Sequence, residues 1–316
     1  MGKTCLIYGH NGLDLDVAFN LRSFYNKMGF NSYFDTKLHS ANVISIVRGV
    51  DSHIDLNGVE FEQIHVYDYG GWRYDRLVKS LPFDKSFIFT TSLATKEYLI
   101  ETFGFPENNI FVIFPPIDLK LFSTKLRPIK FKLIHIGNYK HNNKEFYLDK
   151  MKHIIETFDI KVWGMNWKGY IKNEYKLMGR SGFFESSKIY SQTEYALGLM
   201  NPFQRNVTFS GRFWQGPING CMIISEPGLF TKQIPGIIET DYSPEDINRI
   251  IMQHNGNRIE IQSSACKYWE QNNDKLKQIV EFIISNMSKH KHINNISYFV
   301  TYIPNLLKVM YHKHLL

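Results

Sequence analysis

Cysteine is scarce: Cys5, Cys221 and Cys266 are the only three in 316 residues, and none has the paired spacing of a zinc site or a disulfide framework. That excludes a cysteine-stapled domain and fits a reducing compartment. No apolar run approaches the ~20 residues needed to span a bilayer. The short run Cys5 to Tyr8 also lacks the charged lead and longer apolar stretch of a secretory signal. The expected location is therefore the cytoplasm. Low-complexity segments are missing, and 43% hydrophobic with 21% charged residues excludes a disordered chain or a coiled coil. The three-glycine dinucleotide fingerprint is absent as well. Gly9-His10-Asn11-Gly12 carries only two glycines, which rejects an NAD-dependent dehydrogenase.

What the chain does have is positive charge and aromatic bulk. A formal charge of +7 fits nucleic acid, an anionic membrane face or a phosphorylated small molecule. The lysines are scattered, and the densest basic stretch, Ser288 to His292, is short, so no nucleic-acid partner is expected. Aromatics make up 15% of residues, a share that core filling explains before sugar stacking does. A chain of this length suits two domains of about 100–200 residues each.

Short apolar runs ending in Gly, Asn or Asp alternate with amphipathic segments, as in parallel α/β sheets. The pattern predicts a strand at Lys3 to Tyr8, a helix from Leu13 to Met28 closed by Gly29, and strands at Asn31–Phe34, Gln63–Tyr67, Ser86–Thr90 and Asn109–Phe114. A helix is expected from Ala94 to Phe103. After the polar stretch Ser123–Pro128 the same grammar restarts: strand Phe131–Ile136, helix Lys144–Phe158, strand Ile160–Trp163, then strands at Tyr195–Leu199, Cys221–Ser225 and Gly236–Glu239. Ser243 should cap a further helix. The expected division is 1–122, 129–290 and an amphipathic segment 291–316. Tyr298 to Leu316 has two readings, a closing helix packed across both domains or a foot on an anionic membrane. Pro304 favours packing, because it would interrupt a single interfacial helix.

The residues able to carry chemistry cluster after the strands. His10, Asp14 and Asp16, beside the first strand, are candidates for a general base that deprotonates an acceptor hydroxyl. Each also has a bland role, as a turn residue or as an acid near a helix start. Asp68 opens the loop Asp68-Tyr69-Gly70-Gly71-Trp72-Arg73, which either grips an acceptor sugar or is an ordinary turn with a packed Trp. In the second half Gly137 and Asn138 precede Lys140, a set suited to a phosphate-bearing donor, although by spacing alone a solvent-facing lysine is the simpler reading. Arg205, Ser210, Arg212 and Gln215 follow on a loop and an expected helix start near Ser210, with Glu226 after the next strand. No metal-ligand cluster stands out, so no metal is expected.

Phe111-Val112-Ile113-Phe114-Pro115-Pro116-Ile117-Asp118 and Ser210-Gly211-Arg212-Phe213-Trp214-Gln215 followed by Asn219-Gly220-Cys221 resemble motifs of the glycosyltransferases with two Rossmann-like domains facing each other across a cleft, the GT-B fold. The likeness is to glycosyltransferase family 4 and the spore-maturation CgeB-like group in particular. The resemblance implies a donor site in the C-terminal domain, with Arg212 on donor phosphate and the acceptor approaching from the N-terminal side. Gln215 stands where the family usually has a ribose-binding Glu, and the family's upstream Glu falls at Val207. Retention or inversion is therefore left open. The implied function is transfer of a hexosyl or pentosyl unit from a nucleotide sugar to a saccharide or lipid-linked acceptor, in surface polysaccharide or glycoconjugate synthesis at the inner membrane face. The alternatives are a sugar-nucleotide epimerase and a non-catalytic nucleotide- or carbohydrate-binding protein of the same fold.

Overall fold

The computed structural model describes residues 2–9, 15–47, 53–68, 75–137, 153–155, 157–168, 171, 174–199, 210–228, 230–254 and 257–290. The first unit runs β1 (Thr4–Tyr8), α1 (Leu15–Lys27), β2 (Asn31–Asp35), β3 (Ala41–Val47), β4 (Phe61–Asp68), α2 (Asp75–Ser80), β5 (Ser86–Thr90), α3 (Leu93–Phe103) and β6 (Ile110–Val112). These strands form one parallel sheet in the order β2-β1-β3-β4-β5-β6. Near-continuous burial along β1, β3 and β5 is what a sheet covered on both faces requires. Local signals set the helix ends. Gly29 closes α1 at φ +84°, the Ser92 side chain accepts the Thr95 N–H at the start of α3, and Gly104 closes α3 at φ +65°.

The second unit runs α4 (Leu119–Phe122), β7 (Phe131–Ile136), β8 (Ile160–Trp163), α5 (Phe183–Tyr190), β9 (Thr193–Leu197), α6 (Arg212–Gln215), β10 (Met222–Ser225), β11 (Ile237–Glu239) and α7 (Pro244–Gln253). Its sheet is also parallel, ordered β11-β10-β9-β7-β8. Ser243 caps α7 by accepting the Asp246 N–H, as expected. Most of the helix expected at 144–158, and all of 291–316, lie outside the described residues. Among the described residues no helix is long and apolar enough to cross a membrane.

A 33-residue helix, α8 (Arg258–His290), ties the units together. Its first half buries Ala265 and Trp269 with Phe213, Ile218 and Phe230 of the second unit. Its second half buries Leu276, Val280 and Ile283 against Cys5, Tyr25 and Phe87 of the first. Between these halves α8 grips the crossing chain. Asn272 Nδ2 donates to the Pro115 carbonyl at 3.1 Å. Asn273 accepts the Ile117 N–H at 2.9 Å and donates to the Ile117 carbonyl at 2.7 Å. From the other side α1 holds Asp118: Asn20 accepts its N–H at 2.7 Å, Ser23 donates to its carboxylate, and Lys27 lies 3.4 Å from it. Asp118 also caps α4 by accepting the Lys120 N–H. Phe19 of α1 meets Phe184 of α5 edge-on at 5.7 Å, a further packing contact between the units.

Candidate functional site

The order of the second sheet reverses between β7 and β9, so the chain leaves these neighbours toward opposite faces and opens a crevice at their carboxyl ends. Gly137 follows β7 at that edge, Gly164 follows β8, and Leu199 lies just past β9. Backbone packs directly on backbone here. The Gly137 N–H donates to the Trp163 carbonyl at 2.9 Å, and the Gly137 carbonyl accepts the Trp167 indole N–H at 2.7 Å. Gly164 sits at φ +145°, and a Cβ on it would fall 2.0 Å from the Gly137 oxygen. Only glycine fits there.

Arg212 reaches this floor from α6. Its Nη1 donates to the Leu199 carbonyl at 3.0 Å and its Nε to Ser210 Oγ at 3.2 Å. Nη1 also lies 3.5 Å from the point where a Cβ on Gly137 would stand. Gly137, Ser210 and Arg212 are thus brought together. The helix itself differs from the expectation. It begins at Arg212 rather than Ser210, spans four residues, and gives way to a 3-10 turn at Pro217–Asn219. One turn has little macrodipole, so among the described residues the fixed positive charge at the crevice comes from the Arg212 guanidinium.

Gln215 is buried and turned to α5, donating to Ser187 Oγ at 3.0 Å. Glu226 is buried one strand beyond the crevice, just past β10, where Ser225 Oγ donates to the Gly198 carbonyl at 3.3 Å. Asp68 lies in the first unit, 1% exposed at the end of β4, and accepts from Thr90 Oγ1 at 3.2 Å. The first sheet reverses between β1 and β3, so Asp68 stands one strand from that switch. Asp16 belongs to α1 by its backbone, and its side chain lies outside the described residues. His10, Asp14, Asn138, Lys140 and Arg205 also lie outside them.

Sequence reasoning passed over His135 and Trp167. His135 is on β7, 1% exposed, with its ring edge-on to Trp167 at 5.6 Å. Burial lowers its pKa to about 3, the neighbouring Arg212 charge adds to that, and the Leu197 carbonyl pulls the other way. The signal was present as a histidine inside an apolar strand two residues before the glycine.

Solved structures share this two-sheet arrangement. AviGT4, a glycosyltransferase involved in avilamycin A biosynthesis, matches with a TM-score of 0.63 at 10% identity, over 89% of this chain and 98% of its own. The DNA-modifying enzyme β-glucosyltransferase, solved in the presence and absence of its substrate uridine diphosphoglucose, gives 0.58 at 12% identity, over 90% and 99%. The chain has the GT-B fold. A UDP-N-acetylglucosamine 2-epimerase from Rickettsia bellii matches the same fold at 0.52 and 10% identity, over 92% and 98%. No protein-family model and no curated protein matches the chain, so the narrower likeness to family 4 and the CgeB-like group rests on its motifs alone.

Proposed function

We propose that this GT-B protein is a glycosyltransferase that takes a hexosyl or pentosyl unit from a nucleotide-activated donor held at the β7/β9 crevice. The observation that carries the reading is the convergence of Arg212 and the bare backbone of Gly137 at the switch point of the C-terminal sheet. A guanidinium there meets the charge that develops on a departing nucleoside diphosphate. In this reading Ser210 orients Arg212, and Asn138, Lys140 and Arg205 belong to the same donor side. Gln215 keeps α6 on α5, and Glu226 stands one strand beyond the crevice, just past β10. His10, Asp14, Asp16 and Asp68 belong to the acceptor side, one of them serving as general base if the anomeric centre inverts. The reaction proceeds without a metal, with basic side chains doing the charge neutralisation. The acceptor is a saccharide or lipid-linked saccharide at the cytoplasmic face of a membrane, in surface polysaccharide or glycoconjugate synthesis.

A thermal-shift panel of nucleotides and nucleotide sugars tests the reading, since a ligand of the native state raises its apparent stability. One nucleotide family should shift the transition, and Arg212→Ala should weaken that ligand and slow turnover by roughly 10- to 100-fold, the worth of a charge-assisted hydrogen bond. Unchanged affinity and turnover would remove Arg212 from the donor site. Adding EDTA should leave activity intact, and loss of activity restored by a divalent ion would reject the metal-free route. Duplex DNA serves as a control acceptor, with no transfer expected. The fold is shared with a solved epimerase, which makes epimerisation the second reading. A rearranged sugar nucleotide formed without acceptor would establish it.

A further inference from the structure

The proposed reaction gives no role to a buried histidine at the floor of the crevice. His135 is 1% exposed, and neither ring nitrogen has a hydrogen-bond partner. The Leu197 backbone is near enough to raise the ring's pKa slightly, but no hydrogen bond to it meets normal geometry. Leaving such a group unpaired costs on the order of 1–3 kcal/mol, and a leucine of similar bulk would fill the place without that cost. The location supplies the reason for an imidazole. The ring lies under the one residue of β7's exit that has no side chain, held edge-on by Trp167, whose indole is itself bound to the Gly137 carbonyl. A Cβ on residue 137 would stand 2.9 Å from His135 Nε2 and 3.5 Å from Arg212 Nη1. Among the described residues, the position left by the missing side chain therefore lies within reach of both nitrogens. A neutral imidazole N–H beside a guanidinium is a donor pair for an oxyanion.

We infer that His135 is a donor-binding residue: its neutral Nε2–H joins Arg212 in holding an anionic oxygen of the nucleoside diphosphate, reached across the bare face of Gly137. This rests on the reading of the crevice as the donor site. It also separates the two nitrogen donors by chemistry, since Arg212 supplies charge and His135 supplies direction.

The test is calorimetric titration of UDP, GDP, ADP and dTDP into the full chain, with the tightest of the four carried to the variants alongside their melting temperatures. His135→Leu should melt at or above the wild-type temperature, because an unpaired polar group is gone, yet bind the diphosphate at least about 10-fold more weakly. His135→Gln, which keeps a neutral N–H, should bind within about threefold of wild type. His135→Phe takes the place of the leucine variant if that one does not fold. Binding by the apolar variant within twofold of wild type overturns the inference, as does an equal loss in His135→Gln and the apolar variant. Wild-type protein that binds none of the four diphosphates overturns the donor-site reading and this inference together. Wild-type binding with an indifferent His135 removes the inference alone.

Discussion

His65 and His135 are both fully buried, and burial lowers each to a pKa of about 3, with the Arg212 charge contributing at His135. They differ in how the neutral ring is satisfied. Gln63 Nε2 donates to the Ile283 carbonyl at 3.4 Å, which turns its Oε1 to His65 Nε2 at 2.8 Å. His65 Nε2 therefore carries the proton, and Nδ1 accepts the Tyr25 hydroxyl at 2.6 Å. An unfolded histidine titrates near 6.5. Between that pH and about 3 the unfolded chain binds a proton that the native chain refuses. The stabilisation is complete about one unit above pH 6.5 and is lost on acidification at up to about 1.4 kcal/mol per pH unit for each ring. Urea midpoints measured at pH 7.5, 6.5 and 5.5 should fall, and His65→Gln should lessen the slope by about one proton's worth. Equal slopes in variant and wild type would count against a neutral buried His65. A second prediction at this scale concerns Gly164. Its positive φ and the 2.0 Å approach to the Gly137 oxygen mean that Gly164→Ala should lower stability by about 3 kcal/mol or more and displace the crevice floor. Chemical denaturation reads the first effect and nucleotide titration the second. Arg212 and Gly137 stood out in the sequence as candidates because charge and glycine after a strand mark such sites. His135 was not, because a histidine within an apolar strand looks like core until its neighbours across the fold are known.

At the scale of elements, β5, β7 and β8 match their sequence expectation residue for residue, since each is a short apolar run with sharp polar ends. The strand Ala41–Val47 was missed despite being as apolar. Parallel strands are ordinarily joined by a crossover of a dozen or more residues, and here residues 36–40 alone connect β2 to β3. A reading that expects a helix between strands has no place for it. α8 was missed for the opposite reason. Asn272-Asn273-Asp274 are poor helix formers in the middle of the segment, yet Asn272 and Asn273 hold the backbone of the crossing segment. Local propensity is given up at the point where the helix does its joining work. Asn273→Ala should leave both polar groups of buried Ile117 without their partner and cost about 2 kcal/mol. Asp274→Ala, at an exposed neighbour, should stay within about 0.5 kcal/mol. Urea unfolding of the pair decides it, and similar values for both would mean that the asparagine grip contributes nothing.

For the whole molecule, the polar stretch near residue 123 looks like a boundary at which the protein could be cut, and the position of α8 argues otherwise. The core of the first unit is closed by Leu276, Val280 and Ile283, which the chain delivers only after completing the second. Burying three such side chains contributes roughly 5–9 kcal/mol, comparable with the whole net stability of a domain at roughly 5–15 kcal/mol. Gln63 also loses its carbonyl partner on Ile283, which loosens the His65 pairing. Residues 1–122 expressed alone should therefore be aggregated or bind a hydrophobic dye and melt without a cooperative transition. The same segment joined by a flexible linker to residues 266–290 should recover a sharp transition. Cooperative unfolding of 1–122 by itself would mean that the first unit closes its own core, and α8 would then be a strap between finished domains. If the helix is required, movement between the two units must bend the chain near Asn272 and Asn273, where α8 and the crossing segment are bound to each other.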